Sequence, residues 1–474
     1  MDAAEALRGL PGLALLESAR PGRTSRWSYL TADPLAVIDA PSPGPDPFVA
    51  ARRLLARLDH GGPAMPATNS PAPADTCAAV APGWADVPRF LGGLVGYLGY
   101  DVGHALERLP MIAPDDQGLA PLRLALHDWV LAWDRRAGRA WLAGRALDGD
   151  ATSLDDRLQA VRERLARADQ PAWAEADVAG LRFVSGLDQT AYADKVQAVR
   201  AAIARGDIYQ ANLARRLETP FQGDPWPFYR ALRTGDPASL AAYLDLGRDE
   251  AGVERAIVSA SPEPFLTVDR TGRVTADPIK GTRPRGASRD EDRALAAELL
   301  ASAKDRAENI MIVDVLRNDL GRVCRPGSVR VPRLCRLERT TAVQHLVSTV
   351  CGRLAAGRDA FDLLAASFPG GSITGAPKIR AMELLEELEP VRRGPYTGAA
   401  LWLGPDGAMG SSILIRTFVA DGLRLTIHVG GGITWRSDPA AEWQETVVKA
   451  GGPLRAINGH EVARPGVTPP WGGG

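Results

Sequence analysis

Apolar and polar residues alternate along 264–268 and again along 273–276, on either side of Asp269-Arg270-Thr271-Gly272, and this two-residue period predicts a β-hairpin. Earlier in the chain, the apolar run from Leu10 to Ser18 follows a Pro-Gly turn and predicts a strand, with Arg26-Trp27-Ser28-Tyr29-Leu30 as its partner. Residues 90–101 place several glycines inside an apolar run, which suits a strand bending against another backbone. Residues 121–144 predict a further hairpin, turned at Arg135-Arg136-Ala137-Gly138, whereas the Pro-, Ala- and Gly-rich stretch 61–88 predicts a loop. The period then changes. Residues 150–178 are Ala-rich, charged and helical in pattern, and Tyr192, Val196, Val199 and Ile203 recur at helical spacing up to a stop at Gly206. Further helices are predicted over 226–244, 290–319, from the glycine-rich stretch at 370 to 388, and over 439–450; strands over 208–213, 256–259, 328–331, 343–348, 399–403, 412–419 and 423–429. The organisation read from these elements is a β-rich unit at 1–145, a connecting segment at 146–185, a second unit at 186–457 and a Pro/Gly-rich, disordered tail at 458–474.

Composition is that of a globular chain: 474 residues, 45% hydrophobic and 24% charged. Lys+Arg 56 against Asp+Glu 57 gives a net charge of -1, so the basic excess of a nucleic-acid binder is missing and no nucleic-acid partner is expected. Cys77, Cys324, Cys335 and Cys351 form no C-x-x-C pair, which argues against zinc and dithiol chemistry and for reduced thiols. The N-terminus is acidic, unlike a signal peptide, and no apolar stretch is long enough to span a bilayer. A cytoplasmic protein without a membrane partner is expected.

Within the second unit, Asp305 and Glu308 are three residues apart on one predicted helix, and Glu442 and Glu445 repeat the spacing on another. Glu308 and Glu445 are flanked by apolar residues, and an unpaired buried carboxylate is costly. Two such pairs without a His/Cys cluster suit a hard cation with oxygen ligands, Mg²⁺ before Zn²⁺, although acidic pairs at this spacing are also common on solvated faces. Gly370-Gly371-Ser372-Ile373-Thr374-Gly375-Ala376-Pro377-Lys378 opens a helix, where backbone N–H groups favour an anion. It does not fit the nucleotide P-loop spacing; a carboxylate site and an ordinary helix start both stand. Arg416 sits in the predicted apolar strand 412–419, where a bidentate carboxylate is its natural partner. Lys449, four residues after Glu445, reads equally as an i,i+4 ion pair. Lys280, between Ile279 and Gly281 after the hairpin, reads on its own as a solvated lysine in a basic turn.

The segments Ser261-Pro262-Glu263, Pro278-Ile279-Lys280-Gly281-Thr282-Arg283, Glu308-Asn309-Ile310-Met311-Ile312-Val313-Asp314, Arg317-Asn318-Asp319, His345-Leu346-Val347-Ser348, Gly370 to Lys378, Ile415-Arg416-Thr417, Gly430-Gly431-Gly432-Ile433 and Glu442-Trp443-Gln444-Glu445-Thr446 resemble the chorismate-utilising enzymes, in family order across about 190–450. The resemblance implies an α/β fold with two β-sheets packed face to face as a sandwich and helices outside. It implies chorismate as substrate and Mg²⁺ held by Glu308 and Glu445, with Asp305 and Glu442 in support. By position Arg416 and Tyr396 match residues that grip the enolpyruvyl carboxylate, helped by backbone N–H groups around Gly432. Thr282, Thr374, Gly375 and Lys449 match parts of the substrate pocket, and His345 a histidine near the reacting ring. Leu15-Leu16-Glu17-Ser18 resembles an N-terminal region that holds tryptophan in some relatives, which makes Ser18 a candidate tryptophan contact.

Within the family, anthranilate synthases read Pro-Ile-Ala-Gly-Thr where this chain has Pro278-Ile279-Lys280-Gly281-Thr282, and isochorismate synthases carry a base lysine where this chain has Gln210. The resemblance is therefore to aminodeoxychorismate synthase large subunits, with Lys280 as a covalent nucleophile and Glu263 as general acid/base. A nucleophilic lysine must be unprotonated, and Arg283 and Arg285 are candidates for lowering its pKa. No Cys/His glutaminase triad is visible, so the ammonia source is expected to be a glutamine amidotransferase subunit or free ammonium. An anthranilate synthase component I and a non-catalytic amino-acid-binding scaffold remain the alternatives.

Overall fold

The computed structural model describes residues 1–20, 25–59, 87–167, 180–340 and 343–463. The loop expected over 61–88 lies almost wholly outside these residues, as do 168–179 of the connecting segment and 464–474 of the tail; within the tail expected to be disordered over 458–474, His460–Val462 is instead a strand, paired in parallel with Arg182–Ser185. Two sheets run through the molecule. The larger has the strand order His460–Val462, Arg182–Ser185, Gln210–Pro220, Arg424–Ile433, Thr417–Ala420, Glu254–Ser261, Leu240–Arg248, Ala14–Glu17, Trp27–Thr31, Trp129–Asp134, Arg139–Gly144, with Gly375–Ala376 paired onto Gln210–Pro220. The smaller runs Ile279–Pro284, Val343–Arg353, Arg273–Ala276, Pro264–Val268, Met409–Ile413, Ala399–Leu403, Gly93–Leu98, Leu122–His127, Ala36–Ile38, with Arg330–Arg339 on Val343–Arg353.

The alternation of side chains decides the layering. Along Gly93–Leu98, Val95 and Tyr97 join a core shared with Tyr29, Val130, Ala242 and Ile257 of the larger sheet, while Leu94 and Leu98 pack on the other face with Ile312, Leu316, Phe361 and Met382 of helices. The larger sheet likewise turns Val258, Phe418 and Ile427 outward against Trp226, Phe228 and Leu454. The result is the expected α/β sandwich, sheet on sheet with a helical layer outside each. Strands from 1–145 extend both sheets, joined through Ala14–Glu17 beside Leu240–Arg248 and Gly93–Leu98 beside Ala399–Leu403. Glycine at 96 is required there, because a Cβ would lie 1.9 Å from the Arg123 carbonyl oxygen.

Several elements match the periodicity: the helix Gln189–Ala204, capped by Asp188, the strand Ala399–Leu403 and the hairpin of Pro264–Val268 with Arg273–Ala276. Three expectations are corrected. The helix over 226–244 ends at Gly235, before Asp236-Pro237, and Leu240–Arg248 is instead a strand between two others. The helix over 290–319 is two, Arg289–Ala301 and Ala303–Gly321, because the Ser302 side chain accepts the Asp305 N–H and starts the second. The strand over 412–419 is also two, Met409–Ile413 and Thr417–Ala420, and the chain changes sheet between them. Cys324 and Cys335 are free as expected, but Cys351 is disulfide-bonded; spacing along the chain does not report which thiols meet in the fold. Among the described residues no helix is long and apolar enough to cross a membrane.

Candidate active site

Lys280 belongs to a strand rather than a turn. In Ile279–Pro284 it faces Leu346, while Thr282 faces His345, so Gly281 is an extra residue in the ladder. This β-bulge needs glycine twice over. Gly281 has φ +77°, and a Cβ would come within 2.9 Å of Asp305 Cβ and 3.0 Å of Leu299 Cδ1. The bulge sends the Lys280 side chain inward, where Nζ donates to the Ser372 carbonyl at 3.1 Å. Burial lowers the Lys280 pKa; Glu263 and Glu308 oppose that shift and Lys449 adds to it. Arg283 and Arg285, expected to lower it, are engaged elsewhere: Arg283 pairs with Glu298 and Asp305, Arg285 with Asp292. Adjacency in the chain was a poor guide because side chains on a strand alternate between faces.

Glu263 lies between Glu254–Ser261 and Pro264–Val268, its backbone fixed by Ser261 and Ile413. Burial raises its carboxyl pKa, with Lys280 and a hydrogen bond from Ser372 Oγ acting against the rise. A lysine pushed down and a carboxyl pushed up, both in contact with Ser372, form an acid–base couple. His345 Nδ1 lies 2.8 Å from Thr282 Oγ1, and burial, with the Arg416 and Arg20 charges, pushes its pKa down to about 4, so it is neutral at physiological pH.

The helices Ala303–Gly321 and Pro439–Ala456 carry carboxylates whose charges act on Lys280. Glu308 Oε1 is buried without a hydrogen-bond partner, and burial raises the Glu308 pKa despite Lys280 and Lys304. Glu442 accepts from Ser437 Oγ at 2.6 Å, and Glu445 makes the i,i+4 ion pair with Lys449 at 2.6 Å. Lys449 Nζ also donates to the Gly430 carbonyl at 2.9 Å. Glu442 and Glu445 both press on Gly431, where a Cβ would lie 3.2 and 3.3 Å from their oxygens. Glu445 repels Glu308 electrostatically, as does Asp305, which is itself held by Arg283 at 3.3 Å. Among the described residues no three His, Cys, Asp or Glu side chains stand close enough to cage a metal. A cation held by one or two carboxylates and by water, the manner of Mg²⁺, needs no such cage, and Glu308 Oε1, which accepts no hydrogen bond and has the Lys304 ammonium 3.9 Å away, fits it.

The glycine-rich stretch is folded as a short 3-10 turn, Gly371–Ile373, and a bridge, Gly375–Ala376, before the helix Lys378–Leu388. Lys378 reaches Asp319 at 2.9 Å and the Ser367 carbonyl at 2.8 Å. Thr374 is fully buried, its hydroxyl donating to the Gly370 carbonyl and its own carbonyl accepting from Asn212 N–H. Gly375 has φ +153°, and a Cβ there would lie 2.2 Å from the Gln210 carbonyl oxygen; at Gly432 one would lie 2.2 Å from Gln210 Nε2. Gln210 thus sits between two backbone segments of the site. Tyr396 is buried, stacked on His428 with centroids 5.1 Å apart and planes 12° apart, and burial pushes its pKa up to about 12. Arg416 is not in a strand: it has φ +50° at the crossover between sheets, is 47% exposed, and reaches Asp236 through one contact at 3.4 Å. Its charge is one of those that lower the His345 pKa. Asn212, Ser372 and His428 have no sequence signature beyond their motifs and emerge only from contacts. Ser18 lies apart, its hydroxyl on the Trp27 carbonyl at 2.9 Å, in the wall of a cavity of about 400 Å³ between the sheets that Glu17, Arg26, Trp402 and Asp277 also line.

Comparison with known proteins shows the family of the chain. Residues 48–455 match the family described as chorismate binding enzyme. The chain belongs to that family. It is 39% identical to anthranilate synthase component 1 of Streptomyces coelicolor over 465 residues, 95% of this chain and 84% of that protein. It is 42% identical to aminodeoxychorismate synthase component 1 of Klebsiella aerogenes over 368 residues, 76% of each. Among solved structures, anthranilate synthase component I from Streptococcus pneumoniae superposes with a TM-score of 0.77 at 29% identity, covering 91% of this chain and 92% of that one. The site residues above lie within the matched region, except Ser18.

Proposed function

We propose that this chorismate binding enzyme is an aminodeoxychorismate synthase component I, aminating chorismate to 4-amino-4-deoxychorismate on the way to p-aminobenzoate and folate. The observation that carries the reading is Lys280, a half-buried strand lysine beside a glycine bulge whose amine donates to the Ser372 carbonyl and whose pKa burial lowers. As a neutral amine it attacks C2 of chorismate; the ring double bonds shift, the C4–O bond breaks, and the departing hydroxyl leaves as water with the proton of Glu263. Ammonia then bonds to C4, the C2–N bond breaks to return Lys280 as a neutral amine, and Glu263 carboxylate takes a proton from the new ammonium group. One hard displacement becomes two easier ones, and both residues end as they began. Glu308 and Glu445, supported by Glu442 and Asp305, are the residues to hold Mg²⁺, which when bound supplies Lewis-acid attraction for the ring carboxylate. Tyr396, Arg416 and the backbone near Gly432 form the side assigned to the enolpyruvyl carboxylate; Thr282, His345, Thr374, Gly375 and Lys449 surround the ring. Ammonia comes from a glutamine amidotransferase subunit, and the cavity beside Ser18 is assigned to tryptophan.

A second reading, anthranilate synthase component I, is favoured by the longer match to relatives of that name, 95% of the chain against 76%. Incubation with chorismate, Mg²⁺ and ammonium at alkaline pH separates the two. Mass-spectrometric detection of 4-amino-4-deoxychorismate is the expected result, and a fluorescent anthranilate product would sink the first reading. Titration with tryptophan, followed by calorimetry, tests the cavity separately; no heat of binding removes that assignment.

A further inference from the structure

Ser372 stands between the two groups on which the proposed reaction turns. It is buried in the 3-10 turn Gly371–Ile373. Its carbonyl accepts from Lys280 Nζ at 3.1 Å, and its hydroxyl donates to Glu263 Oε1 at 3.4 Å. Among the described residues these are the hydrogen bonds that the lysine amine and the Glu263 carboxyl make, and both go to one residue. The turn is pinned from several directions. Gly371 packs so closely on Val315 that a Cβ would lie 2.5 Å from it, Arg393 donates to the Ile373 carbonyl at 3.0 Å, and Asn212 N–H donates to the Thr374 carbonyl at 2.8 Å.

We propose that Ser372 is a positioning residue for the amination, its carbonyl orienting the Lys280 amine and its hydroxyl fixing the Glu263 carboxyl for proton transfer. The inference rests on the reaction proposed above. A neutral amine that gives one N–H to a carbonyl has its lone pair directed away from that carbonyl. A carboxylic acid whose Oε1 accepts from a hydroxyl carries its own proton on Oε2, so the Ser372 bond selects the oxygen that delivers the proton. When Glu263 gives that proton to the departing C4 hydroxyl, the same bond stabilises the carboxylate left behind. A contact of 3.4 Å without substrate suits this role, since catalytic hydrogen bonds tighten in the complex.

Ser372→Ala keeps the carbonyl and removes the hydroxyl, while Ser372→Thr restores a hydroxyl. Chorismate consumption by the full chain, with Mg²⁺ and ammonium, is followed as a function of pH. In Ser372→Ala, kcat is expected to fall roughly 10- to 100-fold, the range spanned by a hydrogen bond to a charged group, with KM for chorismate little changed. The low-pH limb moves to higher pH, because Glu263, faced by Lys280 and Lys449, loses a hydrogen bond that favours its ionised form. Ser372→Thr recovers both. Wild-type kcat and an unmoved limb in Ser372→Ala overturn the proposal. So does a loss of rate with an unmoved limb and no recovery in Ser372→Thr, which marks a packing role, and circular-dichroism melting of each variant shows whether it is folded. An anthranilate product would overturn the functional reading and with it the Lys280 part of this proposal, leaving the Ser372–Glu263 part to stand or fall on the shift of the limb, whereas a wild-type chain that consumes no chorismate overturns both.

Discussion

Lys280 differs from a surface lysine in what surrounds its amine: a carbonyl instead of water, Glu263 and Glu308 nearby, and Lys449 opposing them. Lys280→Ala is expected to abolish amination while leaving chorismate binding intact, checked by product analysis beside equilibrium binding; turnover at the wild-type rate refutes the nucleophile. Glu263→Gln removes the acid and is expected to cost on the order of 10²–10⁴-fold in kcat. The two shifts also predict the shape of the pH profile. Lys280, displaced below its ordinary 10.5, must be deprotonated, and Glu263, displaced above 4.5, must be protonated. Chorismate consumption should therefore follow a bell narrower than the ordinary pKa values allow, and a profile as wide as theirs would contradict the pairing. At this scale the fold brings Lys280, Glu263 and Ser372 from three separate motifs together, and the motifs alone do not give those contacts. Arg416 shows why: an arginine in an apolar run predicts a buried bidentate pair, yet the chain changes sheet there and leaves it largely in solvent.

The bulge at Gly281 is the element that turns a strand lysine into a site lysine. Gly281→Ala is expected to cost about 1–2 kcal/mol from the left-handed backbone alone. The close approach to Asp305 and Leu299 adds to this, so activity should fall more steeply than the melting temperature, as Lys280 swings from Ser372. Equal activity in a folded variant would show that the bulge does not aim the side chain. Elements were legible where their period was strong and their neighbours few, as in Gln189–Ala204 and Ala399–Leu403. They were misread where an apolar run serves two structures. Residues 226–244 hide a helix followed by a strand, because Leu240-Ala241-Ala242-Tyr243-Leu244 has no alternation when both faces are buried. Residues 412–419 look like one strand although Met409–Ile413 and Thr417–Ala420 serve different sheets. The local pattern reports burial, and only pairing partners far along the chain report which sheet provides it.

Across the whole molecule, the site is assembled against the interest of stability, and that conflict can be measured. Glu308 comes from a helix on the smaller sheet and Glu445 from one on the larger, so closing the sandwich brings like charges together and strips Glu308 of water. Burial raises the Glu308 pKa above its ordinary 4.5, which means that the folded protein holds this proton more tightly than the unfolded chain. The stability linked to that proton is fully present below 4.5 and is lost as pH rises through the folded pKa; above it, ionised Glu308 is a constant cost. Glu17 has the opposite sign. Burial pushes its pKa up, but Arg233, Arg135 and Tyr229 outweigh burial and hold it below 4.5, so its contribution is present above 4.5 and disappears as pH falls through the folded value. Glu308→Gln should therefore raise the melting temperature at neutral and alkaline pH in the presence of a chelator, and leave it unchanged well below 4.5, while Glu17→Gln should lower it at neutral pH and matter less in acid. With Mg²⁺ added, the wild-type chain should gain melting temperature and Glu308→Gln should gain less, since a ligand that binds only the folded state stabilises it by an amount that rises with the logarithm of its affinity. A Glu308→Gln variant that melts below the wild type in chelator at neutral pH would show that the carboxylate supports the fold, and equal Mg²⁺ shifts in the two proteins would remove Glu308 from the set of ligands.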